Sequence, residues 1–568
     1  MAPDVVGQVA VEHVAWVAVA VLAFAVRFAG LGTHPMAPEE AAQAWGVLAR
    51  LQGETVLPLA GTSPLLASLQ LLAFGVARST EVTARLWPAL AGTLLVLLPL
   101  GLRRELGRAG ALLAALLLAL SSSLVFWSRS GTGESLALLA AMGIVVGLAG
   151  WRREGGSRWL NWLAAALALL FLSAPAGIML LVLLAPLAWL AWASRPEEDG
   201  DRRRAGSLAT PLVIFVTLLL LGATAGLLNP TGLAAVANLP ANWLREISTS
   251  QGYGLLETLV QLVLTEPLLV VTGLAGLVLG WRRRDWFSQG LGAWLALGVV
   301  LTLLRAGRNP ADVALLAMPL ALLAGPALAA LLETLRTADT KLEMGALTLA
   351  GLAILGSVAV WMANFTASWE GQMNAAFLVS ALVAVLVLVA VLAAFAAVFG
   401  VRLALQVGAV LLLVALALLG LRATMALSHN SDGLRWGSYR HTTGATDGAN
   451  LTAYLERLAS QRGGDLRDLR VALEVLPGTQ PSPMLVWYLR DADAFETGSL
   501  TDSAARDVTV SLATRPEPGG QALSGRSFRI AQTWTPAGLR GGPLWRWLLY
   551  GQFDTLREEQ RAVVWVAS

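Results

Sequence analysis

Cysteine is absent from the 568 residues, and histidine occurs only four times. Without cysteine, the chain has no disulfide bonds and no thiolate ligands for a metal. His34 is the one histidine near the acidic residues considered below, so a zinc site would be poorly supplied with ligands.

Charged residues are also scarce: they make up 14% of the chain, and the formal net charge is only +3. Lys341 is the one lysine, so arginine supplies nearly all of the positive charge. A net charge this small on a chain of this length argues against nucleic acid as a partner.

Apolar sequence dominates instead, with 56% hydrophobic residues and a mean hydropathy of +0.66. That balance is far from the composition of a soluble globular protein. A membrane-spanning helix needs roughly 20 apolar residues, and such stretches recur from about residue 14 to residue 421. We therefore predict an all-α polytopic membrane bundle over residues 1–421, with about thirteen transmembrane helices embedded in membrane lipids. Its first apolar run is long and lacks a basic flank, and we expect a retained anchor.

The remaining residues, 422–568, are polar enough and numerous enough to form a second, small domain. Apolar runs alternate there with helical patterns, which indicates an α/β domain. Helices are predicted at 448–460 and 484–489, and strands at 469–476, 508–512, 528–533 and 563–567. In the second helix, Trp487 and Tyr488 could contact an acceptor glycan by stacking and hydrogen bonding, or could pack the domain or dock it on the membrane.

Arginine is concentrated in short connectors such as residues 103–108, 151–158 and 281–285. Because cytoplasmic loops collect arginine and lysine, these connectors are predicted to lie inside the cell. The N-terminus is then cytoplasmic, and the domain 422–568 lies on the extracytoplasmic side of the cell membrane. The apolar run 63–77 is too short to span, so we place it in the outer interface. A long first outer loop, residues 32–83, results.

Two adjacent acids, Glu39 and Glu40, lie in this predicted outer loop. The same topology places four arginines on the outer side: Arg85, Arg129, Arg305 and Arg308. This set fits transfer chemistry on a lipid phosphate, because a general base accepts the acceptor's proton while arginine forks hold the phosphate oxygens. Either acid could be the base, and the arginines could be the clamp. Alternatively, these acids and arginines are charges at helix ends that extend to the membrane interface and anchor the helices there.

Two further acids are candidates for the same cavity. Glu134 follows Arg129 in the chain, and its carboxylate, with those of Glu39 and Glu40, could hold Mg²⁺ or Mn²⁺, although the residues favour a site without metal. Glu266 lies in an apolar segment, where a charge costs several kcal/mol unless it is paired or near the interface. It is predicted to line the cavity or to cap a helix at the outer boundary.

Several motifs, each of low specificity alone, occur in a more specific order. Residues 27–45 contain the acid pair, 81–92 contain Arg85, 106–115 open a helix, and Arg129 follows a serine-rich helix end. In this arrangement the chain resembles the glycosyltransferase-C superfamily, of the protein O-mannosyltransferase and aminoarabinose transferase type. Three further segments resemble the flippase-activity-associated family of archaeal and bacterial membrane proteins: residues 265–269, 307–310 and 483–491.

The resemblance implies a transferase that takes a sugar from a polyprenyl-phosphate carrier and gives it to a glycan or protein acceptor. It implies that Glu39 and Glu40 occupy the positions of a catalytic Asp-Glu pair, that Arg85 meets the carrier phosphate and that Arg129 is a further outer arginine. The chain departs from the pattern at Glu39, which is one methylene longer than the Asp expected there. A displacement on the order of 1 Å can cost roughly a hundredfold in rate.

Three functions are therefore open. The first is an inverting membrane glycosyltransferase with Glu39 or Glu40 as base and Arg85 as phosphate clamp. The second is a catalytically degenerate relative that binds or helps translocate lipid-linked glycans. The third is a structural subunit of a larger membrane complex.

Overall fold

The computed structural model describes the chain in segments separated by gaps. These are residues 3–53, 63–173, 175–195, 208–230, 232–250, 254–336, 341–367, 375–429, 442–474, 481–497, 507–512, 523–533, 540, 544, 547 and 558–567. Residues 54–62 of the predicted first outer loop lie outside them.

The described residues are mainly helical up to His429 and form a sheet with two helices beyond it. The helices are α1 (Pro3–Phe28), α2 (Pro38–Leu51), α3 (Pro64–Val76), α4 (Glu81–Leu97), α5 (Arg103–Leu106), α6 (Arg108–Leu120), α7 (Ser122–Ser128), α8 (Glu134–Glu154), α9 (Gly156–Ser173), α10 (Pro175–Ala193), α11 (Ala209–Ala223), α12 (Gly232–Ser248), α13 (Glu257–Thr265), α14 (Pro267–Arg282), α15 (Trp286–Leu304), α16 (Asp312–Arg336), α17 (Lys341–Ala367), α18 (Ala375–Phe399), α19 (Val401–His429), α20 (Asp447–Gln461) and α21 (Pro483–Tyr488). The strands are β1 (Thr442–Gly444), β2 (Arg470–Glu474), β3 (Asp493–Thr497), β4 (Val508–Leu512), β5 (Leu523–Thr533) and β6 (Glu558–Ala567).

The membrane bundle predicted from composition is confirmed. Within the described segments, nine helices are long and apolar enough to cross a membrane, or up to eleven if each of two bent pairs is one span. The sequence predicts about thirteen crossings by its roughly 20-residue apolar runs. The difference arises from α9 and α11, which are helical as expected. Helix α11 has only 15 residues, and α9, with 18 residues, is not apolar enough to count as a membrane-spanning helix.

Two of the apolar segments are broken rather than straight. Helices α6 and α7 meet at an angle of 59°, and α13 and α14 meet at 95°. At the first break Ser121 has an extended backbone, and at the second Glu266 is followed by Pro267, which disfavours a helical conformation in the residue before it. Both breaks place polar backbone and side chains inside the bundle.

Close helix packing in the bundle depends on glycine. A β-carbon added at Gly325 would collide with the carbonyl oxygen of Gly110, and one added at Gly276 would collide with that of Leu323. Small residues at such contacts let helix backbones approach closely in a membrane. Helices α17, α18 and α19 instead expose most of their apolar surface, which suits contact with lipid.

The C-terminal sheet domain has six strands in the order β1-β5-β6-β4-β2-β3. Strand β2 is parallel to β3 and β4, and the other pairings are antiparallel. The predicted strand 508–512 is present with those bounds, whereas β1 and β3 were not predicted. Helix α19 continues past residue 421 to His429, and the division of the chain at residues 421 and 422 stays a prediction.

This domain shares a hydrophobic core with the segment between α1 and α4. Met36, Ala44 and Phe74 are buried in the same cluster as Leu451 and Trp487 of the C-terminal domain, and α2 packs against α21. The first turn of α2 is therefore held between the membrane bundle and the sheet domain.

We predict that Gly444→Ala weakens this junction. The added β-carbon would collide with the carbonyl oxygen of Met36, which is backbone and cannot swing aside. Overpacking of this kind costs about 1–3 kcal/mol, and it would appear as a lower unfolding temperature and faster proteolysis of the C-terminal domain. In the control Gly46→Ala, the added carbon meets nothing within 4 Å. Equal unfolding temperatures for the two variants would contradict the packing described.

Candidate functional site

The acid pair lies in the first turn of α2, where the two carboxylates have opposite environments. Pro38 begins the helix, and both acids lie near its N-terminus, where the helix dipole favours negative charge. Consecutive helical residues point about 100° apart. Glu39 is consequently exposed, whereas Glu40 is only 3% exposed.

The carboxylate of Glu40 joins three parts of the fold. Its Oε2 accepts hydrogen bonds from Arg85 Nη2 at 2.7 Å and from the backbone N–H of Ala37 at 3.2 Å. Its Oε1 accepts from the backbone N–H of Gly131 at 3.0 Å. Glu40 therefore ties α2 to α4 and to the connector between α7 and α8.

Arg85, at the start of α4, organises the turn between α1 and α2. Its Nη1 donates to the carbonyl oxygens of Leu31 at 3.0 Å and His34 at 2.9 Å, and Nη2 also donates to that of Pro35 at 3.1 Å. With the Glu40 pair, both terminal nitrogens are engaged within the protein. Direct contact of Arg85 with a carrier phosphate stays a prediction. It requires exchange of these bonds at the terminal nitrogens, since only the buried Nε has no acceptor among the described residues.

Arg129 binds the C-terminal end of α1. Its guanidinium donates to the carbonyl oxygens of residues 26, 27, 29 and 30 at 2.7–3.1 Å. Those carbonyls have no partner within the helix and lie at the negative end of its dipole, so a cation satisfies them. Burial, with a smaller effect of the Arg85 charge, lowers the pKa of Arg129 to about 10, so its guanidinium stays protonated at neutral pH. Its phosphate-binding role likewise stays a prediction.

A further buried arginine, Arg27, was not among the predicted site residues. It is 0% exposed and donates to the carbonyl oxygens of Ala23, Leu118 and Ala119 at 3.1–3.3 Å. It thereby ties α1 to the end of α6, just before the break at Ser121. Its place inside an apolar segment was the only signal in the sequence.

Arg305 and Arg308 belong to the turn between α15 and α16. Arg305 Nη2 donates to both carboxylate oxygens of Asp312, at 2.9 and 2.7 Å, and all but 5% of Arg305 is buried. Arg308 is half-buried and donates to the carbonyl oxygen of Arg305 at 2.7 Å. Asp312 was missed in the sequence, although an acid that opens an apolar helix is a recognisable signal. These bonds stiffen the turn, and a clamp role for the two arginines stays a prediction.

Glu266 lies at the 95° bend between α13 and α14 and faces the break between α6 and α7. The hydroxyls of Ser121, Ser122 and Ser123 lie 2.6, 3.0 and 2.7 Å from its Oε1, and the backbone N–H of Ser123 donates to the same atom at 2.7 Å. The residue is 4% exposed. Glu266 therefore links the break between α13 and α14 to the break between α6 and α7. That it lines a cavity stays a prediction.

Trp487 and Tyr488 lie in the junction between the two domains. Trp487 is 0% exposed, its Nε1 donates to Glu81 Oε1 at 3.0 Å, and its ring centroid lies 6.2 Å from that of Phe74. The Tyr488 hydroxyl accepts from the backbone N–H of Met36 at 3.3 Å, and burial raises the pKa of that hydroxyl to about 12. Both rings pack the junction, and contact with an acceptor stays a prediction that requires the junction to open.

Glu134 opens α8 and is half-buried, directly after a tight contact at Gly133. A β-carbon at Gly133 would collide with the carbonyl oxygen of Ser173. For Mg²⁺ or Mn²⁺, which the sequence disfavours but leaves open, the described segments contain no group of three or more His, Asp or Glu side chains placed to hold a metal. The oxygens of Glu40 already accept N–H donors, which is a poor arrangement for a hard cation.

Comparison with known proteins identifies the fold. No protein-family model matches the chain, and no curated protein matches its sequence. The crystal structure of ArnT from Cupriavidus metallidurans bound to undecaprenyl phosphate matches over 98% of each chain, at 14% identity and a TM-score of 0.58. The apo structure of the same protein matches over 99% of this chain and 98% of that one, at 15% identity and a TM-score of 0.57.

The fold is therefore of the ArnT type, as the resemblance to the aminoarabinose transferase type implied. A more distant match is the archaeal oligosaccharyltransferase AglB from Archaeoglobus fulgidus, with 11% identity, 88% and 69% coverage of the two chains and a TM-score of 0.46. The narrower resemblance to the flippase-activity-associated family stays a prediction.

We predict that the Glu40–Arg85 pair is required for stability at this site. The side chains are 4% and 3% exposed, and removing one partner leaves the other charge buried, at a cost of about 3–5 kcal/mol. Glu40→Gln and Arg85→Gln should each lower the unfolding free energy strongly, and the double variant should lose less than their sum.

The matched control is Asp493→Asn. Its ion pair with Arg470 spans 3.8 Å between side chains that are 61% and 60% exposed, so its loss should change stability by at most about 1 kcal/mol. Additive single and double variants at Glu40 and Arg85 would show that the pair is not coupled.

Proposed function

We propose that the protein is a membrane glycosyltransferase that moves a sugar from a polyprenyl-phosphate carrier to an acceptor on the extracytoplasmic face of the cell membrane. The fold supports this, since it is similar to ArnT crystallised with undecaprenyl phosphate. The predicted charge asymmetry of the connectors supports the orientation, with a cytoplasmic N-terminus and an extracytoplasmic C-terminal domain.

The observation that carries the proposal is that one acid of the pair is buried and hydrogen-bonded whereas the other is exposed. Glu40 uses its carboxylate to fix the first turn of α2 against Arg85 and Gly131. Glu39, one residue earlier on the same fixed turn, is exposed. A base must reach the acceptor's proton, and a rigid support is what positions it for that purpose. We assign the base to Glu39 and the positioning role to Glu40.

The reaction follows as a single displacement. The acceptor's hydroxyl oxygen forms a bond to the anomeric carbon while the bond from that carbon to the phosphate oxygen breaks. The hydroxyl proton passes to the Glu39 carboxylate, and the bonding electrons leave on the phosphate oxygen of the released polyprenyl phosphate. Attack opposite to the leaving group inverts the anomeric configuration.

Fixed positive charge near the acid pair would favour the leaving phosphate. Arg85 and Arg129 carry two positive charges beside the two carboxylates of the acid pair, so one positive charge is left in excess once Glu39 has taken the acceptor's proton. The Arg85 charge is close enough to contribute to the lowered pKa of Arg129. Charges held in place by protein hydrogen bonds stabilise developing charge without reorganising. Arg85 and Arg129 can therefore act at a distance while they keep their carbonyl partners, and Arg305 and Arg308 remain candidates for direct contact.

We predict that Glu39→Gln lowers transfer by about 10²–10⁴-fold, the usual contribution of a general base. The measurement is release of undecaprenyl phosphate by the purified protein in proteoliposomes, with a panel of undecaprenyl-phosphate-linked pentoses and hexoses and a membrane extract as acceptor. Because Glu39 is exposed, the unfolding free energy should fall by no more than about 1 kcal/mol, the usual size of a helix-dipole interaction, and the binding of undecaprenyl phosphate should be retained.

Two variants complete the test. Glu39→Asp introduces the residue that the family resemblance expects at this position and should retain transfer. Glu456→Gln changes an exposed acid on α20 and should behave as the unaltered protein. Unchanged turnover in Glu39→Gln would remove Glu39 from the mechanism. Lipid binding without turnover in the unaltered protein, for every donor of the panel, would favour the non-catalytic carrier-binding function instead.

A further inference from the structure

A cavity of about 350 Å³ lies on the C-terminal domain between α20 and β5. Its lining includes Asp447, Asn450, Tyr454 and Arg457 from the helix, and Arg526 and Phe528 from the strand. The volume is at the lower end of the range of small-molecule sites, roughly 300–1,000 Å³. None of these residues belongs to the site around Glu40.

The lining residues of α20 and of β5 face the cavity because side chains repeat regularly along a helix and along a strand. The lining residues of α20, which also include Ala453, recur at helical spacing on one face, while Leu451, Leu455 and Ala459 on another face are buried in the core. On β5, alternate residues share a face, so Arg526 lies beside Phe528. Phe528 is 4% exposed and forms the floor, whereas Arg526 and Arg457 are exposed at the rim.

The charges in this cavity do not balance. Asp447 is already engaged, because its Oδ2 accepts from Arg529 Nε at 3.3 Å and its Oδ1 accepts from Asn450 Nδ2 at 3.0 Å. Arg526 stacks over the rings of Tyr454 and Phe528, at 4.9 and 5.5 Å from their centroids. Among the residues that the structure describes, neither Arg457 nor Arg526 has a carboxylate within ion-pair distance. Two guanidinium groups thus face the cavity without a counter-charge.

We propose that this cavity binds an anionic sugar, a carbohydrate unit that carries a carboxylate or a phosphate. Guanidinium forks match the oxygens of either group, and an aromatic ring offers a flat apolar face to a sugar ring while its hydroxyl forms hydrogen bonds. A neutral sugar would leave both arginines unpaired. An extended acidic peptide fits less well, because a volume of about 350 Å³ would hold only a short part of it. The inference does not rest on transfer activity.

Calorimetric titration of the purified full-length protein in detergent tests it, without any lipid-linked donor. The probes are trigalacturonate with its neutral counterpart α-1,4-galactotriose, and glucose 6-phosphate with glucose. At least one anionic probe should bind about tenfold or more tightly than its neutral counterpart. Arg457→Gln/Arg526→Gln should weaken that binding by about tenfold or more, the effect of losing hydrogen bonds to a charged group. Both side chains are exposed, so folding should be retained.

The control is Arg467→Gln, an exposed arginine of the same domain outside the cavity, which should leave the affinity unchanged. Equal binding of anionic and neutral probes, no binding of any probe, or an unaffected double variant would overturn the proposal. Inorganic phosphate or a hexaglutamate peptide that binds as tightly as the anionic sugars would also overturn it, by removing the role of the sugar.

Discussion

The structure of the candidate site depends on one buried ion pair, between Glu40 and Arg85. At 2.7 Å and almost without exposure, the pair links the first turn of α2 to α4. Arg85 extends the link to the turn after α1, and Glu40 extends it to Gly131. A buried pair of this kind is stable only when further hydrogen bonds satisfy both groups. Backbone groups supply them to the Glu40 carboxylate and to both terminal nitrogens of Arg85, whereas Arg85 Nε has no acceptor among the described residues. Three stretches that are far apart in the chain, residues 31–40, the start of α4 and the connector at Gly131, are thereby fixed together, and Glu39 belongs to the first of them.

The same principle recurs through the bundle. Arg129 and Arg27 bind backbone carbonyls at helix ends, and Glu266 binds three consecutive serines at a helix break. In an apolar bundle, each break exposes backbone groups that need partners, and buried charged side chains provide them. The C-terminal domain also contacts this region. The Tyr488 hydroxyl accepts a hydrogen bond from Met36, before α2, and Trp487 donates one to Glu81, at the start of α4. Glu39 differs from these charged residues in that its side chain is exposed.

Hydropathy and helical period predicted the bundle, and alternation predicted most of the C-terminal strands, because both depend on neighbouring residues. The acid pair could also be found, since the predicted topology places it in the first outer loop, unlike the other adjacent acids at 197–199 and 558–559. The contrast between Glu39 and Glu40 could not, because it depends on Arg85 and Gly131, which are distant in the chain. Asp312 was missed as the partner of Arg305 for a related reason: the turn geometry that brings them together has no periodic pattern. Strand β1, with three residues, is likewise too short to show an alternating pattern in the sequence.

The central claim is that a polyprenyl-phosphate carrier binds beside the exposed acid of α2. A cryo-electron microscopy structure of the protein with undecaprenyl phosphate tests it most directly. The account predicts density for the phosphate on the face of α2 that carries Glu39, with Glu40 and Arg85 still paired. Lipid density confined to the outer surface of α17–α19, or a phosphate on the opposite side of the bundle, would contradict it.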